Sequence, residues 1–195
     1  MVKKKILSAM AAAFVAVQLL GTTVITAQAS TITGAVSTDN FIRGVDVSTL
    51  DMLEDLGAHY YEKNQESDAM TILHNNGANY VRLKLWVDPY DENPYGGGNN
   101  DYDTTLKLAK RAKKLGMKIL IDFHLSDFWA DPANQIKPKA WKNLSYSELK
   151  QTLYSYMKTS LNDFAAEGIV PDMVQVGNEI SSGILHEDGK IGTNE

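Results

Sequence analysis

An amide and a carboxylate stand side by side near the end of the chain, as Asn178 and Glu179 in the run VQVGNEISSG. Three other apolar runs carry Asp46, Arg82 and His124 at or close to their ends. A carboxylic acid in such a place can deliver a proton to a substrate, and its conjugate base can later activate water. The pattern therefore predicts that several separate runs contribute polar groups to one site.

The elements that would position these groups follow a repeated order. Three segments each contain a helical run, a glycine and then an apolar strand, with Gly77, Gly116 and Gly168 as the glycines. Glycine is the residue that most often follows the C-terminal end of a helix. An earlier strand, in FIRGVDVS, has no helix before it. The order β-α-β-α-β-α-β predicts parallel strands joined by helical crossovers.

Alternating residues along each predicted strand separate an apolar face from a polar one. In the second strand Val81 and Leu83 share one face, whereas Arg82 and Trp86 share the other. An open doubly wound sheet is usually apolar on both faces. A closed α/β barrel, whose interior opens into a site at the C-terminal rim, explains the asymmetry better. Any one of the polar residues on these faces could be a buried structural group. Four of them lie at the same parity on separate strands, which favours a shared site: Asp46, Arg82, His124 and Glu179.

Long aromatic and polar loops follow the second and third strands. They carry, or lie close to, Trp86, Tyr90, Tyr95, Trp129 and Trp141. Aromatic rings beside Asp and Asn suit sugars, which have apolar C–H faces and hydroxyl rims. The same rings could instead serve only to fix the loops, and that alternative stays open at this point.

Residues 1–29 are predicted to be a secretory signal peptide. A basic start precedes an apolar stretch from Ile6 to Leu20, and Ala27 and Ala29 form an A-x-A cleavage pattern. A membrane anchor is the alternative, but a span needs ~20 continuous apolar residues and this stretch is shorter. We therefore expect a secreted, extracellular protein.

Residues 30–195 are expected to form one domain, and their composition limits the partners. The whole chain has a net charge of -5 and no cysteine, so disulfides cannot stabilise it. An acidic chain disfavours nucleic acid and anionic membranes as partners. We expect no nucleic acid, no membrane after signal cleavage, and a monomer when the protein is full length.

Several runs together resemble family 53 glycoside hydrolases, the endo-β-1,4-galactanases. They are FIRGVDVS, VRLKLWVDP, YGGGNNDY, IDFHLSDFWADPANQIKPKAW and VQVGNEISSG. The SDFWADP block is highly specific, whereas Gly-Asn-Glu after a strand recurs across a broad clan of barrel glycosidases. The resemblance implies a (β/α)8 TIM barrel. It also implies internal, retaining hydrolysis of the β-1,4-galactan found in type I arabinogalactan.

The resemblance further implies roles for individual residues. Glu179 matches the general acid/base of the family, and Asn178 matches the amide that contacts the sugar 2-hydroxyl. Leu125 stands where the family often has a tyrosine, which removes one sugar contact. The remaining residues expected to bind substrate lie near the strand ends and on the loop after the third strand, here called the third loop: Asp46, Arg82, Trp86, His124, Asp127 and Trp129.

A retaining glycosidase needs a second carboxylate ~5–5.5 Å from the acid. The resemblance places it at the end of the seventh strand, whereas this chain ends after the fourth, and a full barrel takes ~250 residues. We therefore expect an incomplete barrel with about the first four β/α units. Residues 30–195 alone should be inactive and self-associating, since open strand edges recruit other chains. No cofactor or metal is expected here, and calcium, if bound, would lie in the missing half.

Three alternatives stay open from the sequence. One is another barrel glycosidase with Asn-Glu, a β-glucanase or mannanase, against which the SDFWADP block argues. The second is a non-catalytic carbohydrate-binding protein, which would bind sugar without hydrolysis. The third is a metallohydrolase using Asp122, His124, His186 and Glu187. The chain has only four His and lacks H-x-H or H-E-x-x-H spacing, which disfavours the third.

Overall fold

The computed structural model describes residues 41–90 and 99–192. The predicted signal peptide and Tyr95 lie outside these residues. From Ile42 onward the chain clusters as one unit. Its elements follow in the order β1 (Gly44–Asp46), α1 (Leu50–Asp55), β2 (Tyr61–Glu62), β3 (Gln65–Glu66), α2 (Ala69–Asn75), β4 (Tyr80–Leu85), α3 (Tyr102–Lys114), β5 (Lys118–Phe123), α4 (Tyr146–Ala166), β6 (Met173–Val176), β7 (Gly183–Ile184) and β8 (Gly189–Lys190).

Four of these strands form the central sheet, in the order β1-β4-β5-β6. All three neighbouring pairs are parallel. Each strand therefore lies beside the one that precedes it in the sheet, with a helix in the connection, as the sequence predicts. Asp46 lies opposite Arg82, and Phe123 lies opposite Val176, so the polar strand ends reach the same edge of the sheet.

The helices that precede β4, β5 and β6 begin and end with residues that helices prefer at these positions. Side chains of Asp68, Asp101 and Ser145 accept hydrogen bonds from backbone amides in the first turns of α2, α3 and α4. Ser145 forms a complete capping box with Glu148, which satisfies two otherwise unpaired groups at once. Each helix is followed by one of the predicted glycines, with φ of 96°, 73° and 77° in chain order.

The helix-facing side of the sheet is the core of the fold. Leu108 of α3 and Phe164 of α4 pack with it and are almost fully buried. The predicted apolar faces of β4 and β5 are confirmed. Their six residues are at most 3% exposed, and they are Val81, Leu83, Leu85, Ile119, Ile121 and Phe123.

Strand β6 differs from its neighbours. Val174 and Val176 have the parity of the buried residues of β5, yet they are 37% and 49% exposed. The sequence predicts an apolar face here that packs under a helix, and among the described residues that face is not covered. No described helix is both long and apolar enough to cross a membrane.

Candidate active site

Glu179 lies just beyond the carboxyl end of β6, in a tight turn. Gly177 has a φ of 82°, and a Cβ atom there would lie 2.6 Å from Cγ2 of Ile180, so the turn needs glycine. Glu179 itself has φ 50° and ψ 46°, the left-handed conformation. That conformation is unfavourable for a residue with a side chain, so neighbouring groups must hold the turn. The side chain of Glu179 is exposed at the same edge of the sheet.

Asn178 is buried beside the exposed carboxylate and is held from two sides. Its Oδ1 accepts a hydrogen bond of 2.7 Å from Nη2 of Arg82, and its Nδ2 donates one of 2.7 Å to the carbonyl of Ala130. The side chain amide is therefore held in one orientation. An Asn Nδ2 carries two hydrogens, and among the described residues Ala130 supplies the one acceptor for them. Its predicted contact with a sugar 2-hydroxyl stays a prediction.

Arg82 is at the centre of the polar face. Its Nη1 lies 2.5 Å from Asp46, its Nη2 lies 2.6 Å from Asp122, and its Nε donates to Gln175 at 3.2 Å. Lys84 adds a second cation, 2.7 Å from Asp46. Two cations thus balance two carboxylates. The structure brings the predicted residues Asp46 and Arg82 together, and their contacts with one another position the groups around Asn178.

The Asp46 carboxylate is stabilised in its charged form. Partial burial alone would raise the pKa of Asp46, but hydrogen bonds from Lys84 and Ser48 outweigh it, and the pKa lies below its usual value. Asp46 is therefore a permanent anion at neutral pH and cannot serve as a proton donor there. Its charge instead fixes Arg82 and Lys84 in place.

His124 and Trp86 lie beneath the surface of the site. They are 1% and 2% exposed, and their rings are 6.1 Å apart. Nδ1 of His124 is 2.9 Å from Oδ2 of Asp122, but the geometry is not that of a hydrogen bond, and neither ring nitrogen has such a partner among the described residues. The structure therefore exposes neither predicted residue to a ligand. Leu125, 2% exposed, offers no surface either.

A cleft of ≈ 630 Å³ lies next to Glu179. Trp129 forms part of its wall, with its ring 5.7 Å from the ring of Trp86 and 4.9 Å from Nζ of Lys84. An aromatic wall beside a carboxylic acid suits a sugar ring. Of the residues predicted from the sequence, Glu179 and Trp129 line this cleft. The other lining residues come from the same third loop: Phe128, Ala130, Asp131, Asn134 and Ile136.

Asp127 does not join the other predicted residues. Its two carboxylate oxygens accept hydrogen bonds from the backbone amides of Asp88 and Lys139, at 3.0 Å and 2.8 Å. Asp127 thus ties two loops together, and its predicted sugar contact stays a prediction. Desolvation raises the pKa of Asp127 despite these two hydrogen bonds.

The remaining loop aromatics support the alternative in which they fix the loops. Trp141 is 5% exposed and packs edge-on against Tyr156, with ring centroids 5.5 Å apart. Tyr90 is exposed, and its hydroxyl donates to the Asp101 carboxylate at the start of α3. Neither lines the cleft beside Glu179.

The structure also bears on the metal-site alternative. No group of three or more His, Cys, Asp and Glu side chains that could hold a metal ion occurs among the described residues. Asp122 and His124 are neighbours, but His186 and Glu187 do not complete such a group with them.

Comparison with known proteins agrees with this geometry. Residues 42–195 match the model of glycosyl hydrolase family 53. The chain belongs to glycosyl hydrolase family 53. It is 50% identical over 151 residues to the Endo-beta-1,4-galactanase of Bacillus subtilis, covering 76% of this chain and 35% of that protein. It is 45% identical over 149 residues to the Arabinogalactan endo-beta-1,4-galactanase A of Aspergillus niger, covering 76% of this chain and 41% of the relative.

A solved structure confirms the fold of this family 53 chain. The Ignisphaera aggregans GH53 catalytic domain is 50% identical, with a TM-score of 0.75, and the match covers 78% of this chain and 43% of that one. The predicted (β/α)8 TIM barrel is confirmed, and the four-stranded parallel sheet is part of such a barrel. The chain spans less than half the length of these relatives.

Proposed function

We propose that this protein is a secreted glycoside hydrolase that cleaves β-1,4-galactan internally, with retention of anomeric configuration and with Glu179 as general acid/base. The observation that carries the proposal is the Glu179 carboxylate, which lines a cleft beside Trp129 at the carboxyl end of a family 53 barrel strand. The substrate is supported by the names of the relatives from Bacillus subtilis and Aspergillus niger. Secretion is supported by the basic, apolar and A-x-A pattern of residues 1–29.

Glu179 would perform both proton transfers. As an acid it protonates the leaving glycosidic oxygen, and as the conjugate base it activates the water that releases the sugar. Its exposure in the cleft allows a substrate oxygen to approach. The Arg82 guanidinium is paired with Asp46 and Asp122, and no ion pair joins it to the Glu179 carboxylate.

Asn178 would hold the sugar 2-hydroxyl, a hydrogen bond that strengthens as the oxocarbenium-like transition state forms. The bonds from Arg82 and to Ala130 fix its amide before substrate arrives. A group already in its reactive orientation loses no freedom when substrate binds. Asp46 and Asp122 contribute by holding Arg82.

Retention requires a second carboxylate as nucleophile, ~5–5.5 Å from the acid. Of the described acidic residues, only Asp131 lines the cleft together with Glu179. Its oxygens accept hydrogen bonds from Ala133 and Asn134 within its own turn. We therefore propose that residues outside those described supply the nucleophile. The reaction needs no cofactor, because carboxylates perform both the attack and the proton transfers.

The test is hydrolysis by the intact protein of β-1,4-galactan, with cellulose and mannan as comparison substrates. We expect reducing ends to appear from galactan, with short oligosaccharides among the first products. Proton NMR of those products should show the β-anomer before mutarotation. Activity on mannan but not on galactan would overturn the substrate assignment. Binding of galactan without release of reducing ends would indicate a carbohydrate-binding protein instead.

A further inference from the structure

Gln135 is a polar residue that the structure buries beside the acid turn. It is 3% exposed and lies on the third loop, which follows β5. Its Nε2 donates to the carbonyl of Asn178 at 2.7 Å and to the carbonyl of Asp131 at 3.1 Å. Both hydrogens of the amide are thus used on backbone oxygens. A buried amide with two such bonds fixes the backbone that it contacts.

The bond to the Asn178 carbonyl controls the conformation of Glu179. That carbonyl belongs to the peptide unit that joins Asn178 to Glu179, so its direction is coupled to the φ of Glu179. Glu179 has a φ of 50°, which a residue with a side chain rarely adopts unless its surroundings impose it. If the carbonyl turned away, Glu179 could relax to a negative φ and its carboxylate would leave the cleft.

Gln135 is itself held firmly enough to act as an anchor. Its backbone carbonyl accepts a 2.7 Å hydrogen bond from the amide of His186, which lies between β7 and β8. Ser182, between β6 and β7, donates to the carbonyl of Pro132 on the third loop at 2.6 Å. The third loop is therefore joined at two points to the segment that follows the acid turn.

We propose that Gln135 is a positioning residue that holds the Asn178–Glu179 peptide in its left-handed conformation and so aims the acid at the leaving oxygen. The inference rests on the proposed role of Glu179, but it does not depend on which polysaccharide is cleaved. Gln135 does not line the cleft beside Glu179 and would act only through the backbone. Its loss should therefore slow proton donation more than it weakens binding.

The experiment compares three variants of the intact protein. Gln135→Met keeps the size of the side chain and removes both donors, and Gln135→Glu replaces the amide donor by an acceptor. Gln151→Met is the matched control, because this exposed glutamine of α4 donates, within the described part of the chain, only to Ser155, at 3.2 Å. We expect kcat on galactan to fall about tenfold to hundredfold in both Gln135 variants, since small misplacements of a catalytic group cost up to about 10²-fold. KM should change less than about threefold, and Gln151→Met should match the wild type.

A second substrate separates positioning from general damage. An aryl galactoside with an activated leaving group needs little protonation in the first chemical step. Its kcat/KM, which reports that step, should therefore fall by a much smaller factor in the Gln135 variants. Equal losses on both substrates, or wild-type kcat on galactan, would overturn the inference. If Glu179→Gln were as active as the wild type on galactan, the proposed function itself would fail. The crystal structure of Gln135→Met tests the role of Gln135 without an activity measurement. If Glu179 keeps its positive φ in that variant, the inference is contradicted.

Discussion

On the helix-facing side of the central sheet, Val81, Ile121 and Phe123 are apolar and fully buried. On the opposite side, Arg82 and Asp122 belong to a network of charges and hydrogen bonds. The first side is stabilised by non-directional burial, which tolerates side chains of similar volume. The second is stable only while each buried charge keeps its partner. Stability is thus drawn mainly from one face, and the geometry of the site from the other.

The largest effect on stability should follow removal of the charge at the centre of the polar face. Arg82→Met leaves Asp122, whose side chain is 0% exposed, without its closest cation. Breaking a buried ion pair costs about 3–5 kcal/mol. Because Arg82 is partly exposed, we expect Arg82→Met to lower the unfolding free energy by about 3 kcal/mol. Urea unfolding measures the loss. Arg82→Lys is the control, since a single ammonium keeps the charge but cannot reach both Asp122 and Asn178.

Arg82→Lys should therefore retain more stability than Arg82→Met while losing activity on galactan. A Met variant as stable as the wild type would show that the polar face contributes nothing to folding. The two faces would then differ less than their chemistry suggests.

A smaller effect is expected from the same substitution on the apolar face, made at two strands. Val81→Ala in β4 should cost about 2 kcal/mol, because Val81 is 0% exposed and its removal leaves a cavity. Val176→Ala in β6 should change the unfolding free energy by less than about 0.5 kcal/mol, because Val176 is 49% exposed. Thermal or urea unfolding of both variants gives the comparison. Equal losses would mean that protein outside the described residues covers β6.

The smallest effects should appear in the pH dependence of the unfolding free energy, to which Asp46 and Asp127 should contribute slopes of opposite sign. The pKa of Asp46 is lowered in the folded state, so its stabilising contribution is present above the unfolded value of 3.8 and is lost as pH falls through the folded value. The pKa of Asp127 is raised, so its contribution is fully present below 3.8 and is lost as pH rises through the folded value.

The measurement is the unfolding free energy of Asp46→Asn and Asp127→Asn against the wild type, from pH 3 to pH 7. The deficit of Asp46→Asn should shrink as pH falls below about 4. The stability of the wild type relative to Asp127→Asn should instead increase as pH falls. Parallel slopes for the two variants would contradict the opposite environments assigned to these carboxylates.

The fold was largely predictable because apolar and polar residues recur at regular spacing along its strands and helices. Parity separated Val81 and Leu83 from Arg82, and the glycines after the helices marked the crossovers. The hairpin of β2 and β3 was missed, since its turn uses Lys63 and Asn64 at φ of 51° and 65°, where Asn-Gly would have been the recognisable signal. Strand parity predicts which face of β6 is apolar. It does not predict whether another part of the protein covers that face.

The site was less predictable, because parity gives the side of a residue but not its depth or its partners. Trp86 and His124 have the predicted parity, yet they lie below the cleft surface. Asp127 is near the rim, but its oxygens are used by two backbone amides. Gln135 carried no periodic signal, and its contact with Asn178 joins residues that are 43 positions apart. Only the folded loops bring that pair together.

In the proposed mechanism Glu179 gives a proton to the leaving glycosidic oxygen and later takes a proton from the attacking water. The most direct measurement is turnover by Glu179→Gln in the intact protein, on galactan and on an aryl galactoside with an activated leaving group. Glu187→Gln is the control, because this exposed carboxylate pairs only with Lys190 among the described residues, at 3.5 Å. We predict a loss of about 10²–10⁴-fold on galactan, retained galactan binding, and a smaller loss of the first chemical step on the activated substrate. Wild-type turnover of galactan by Glu179→Gln would contradict the account.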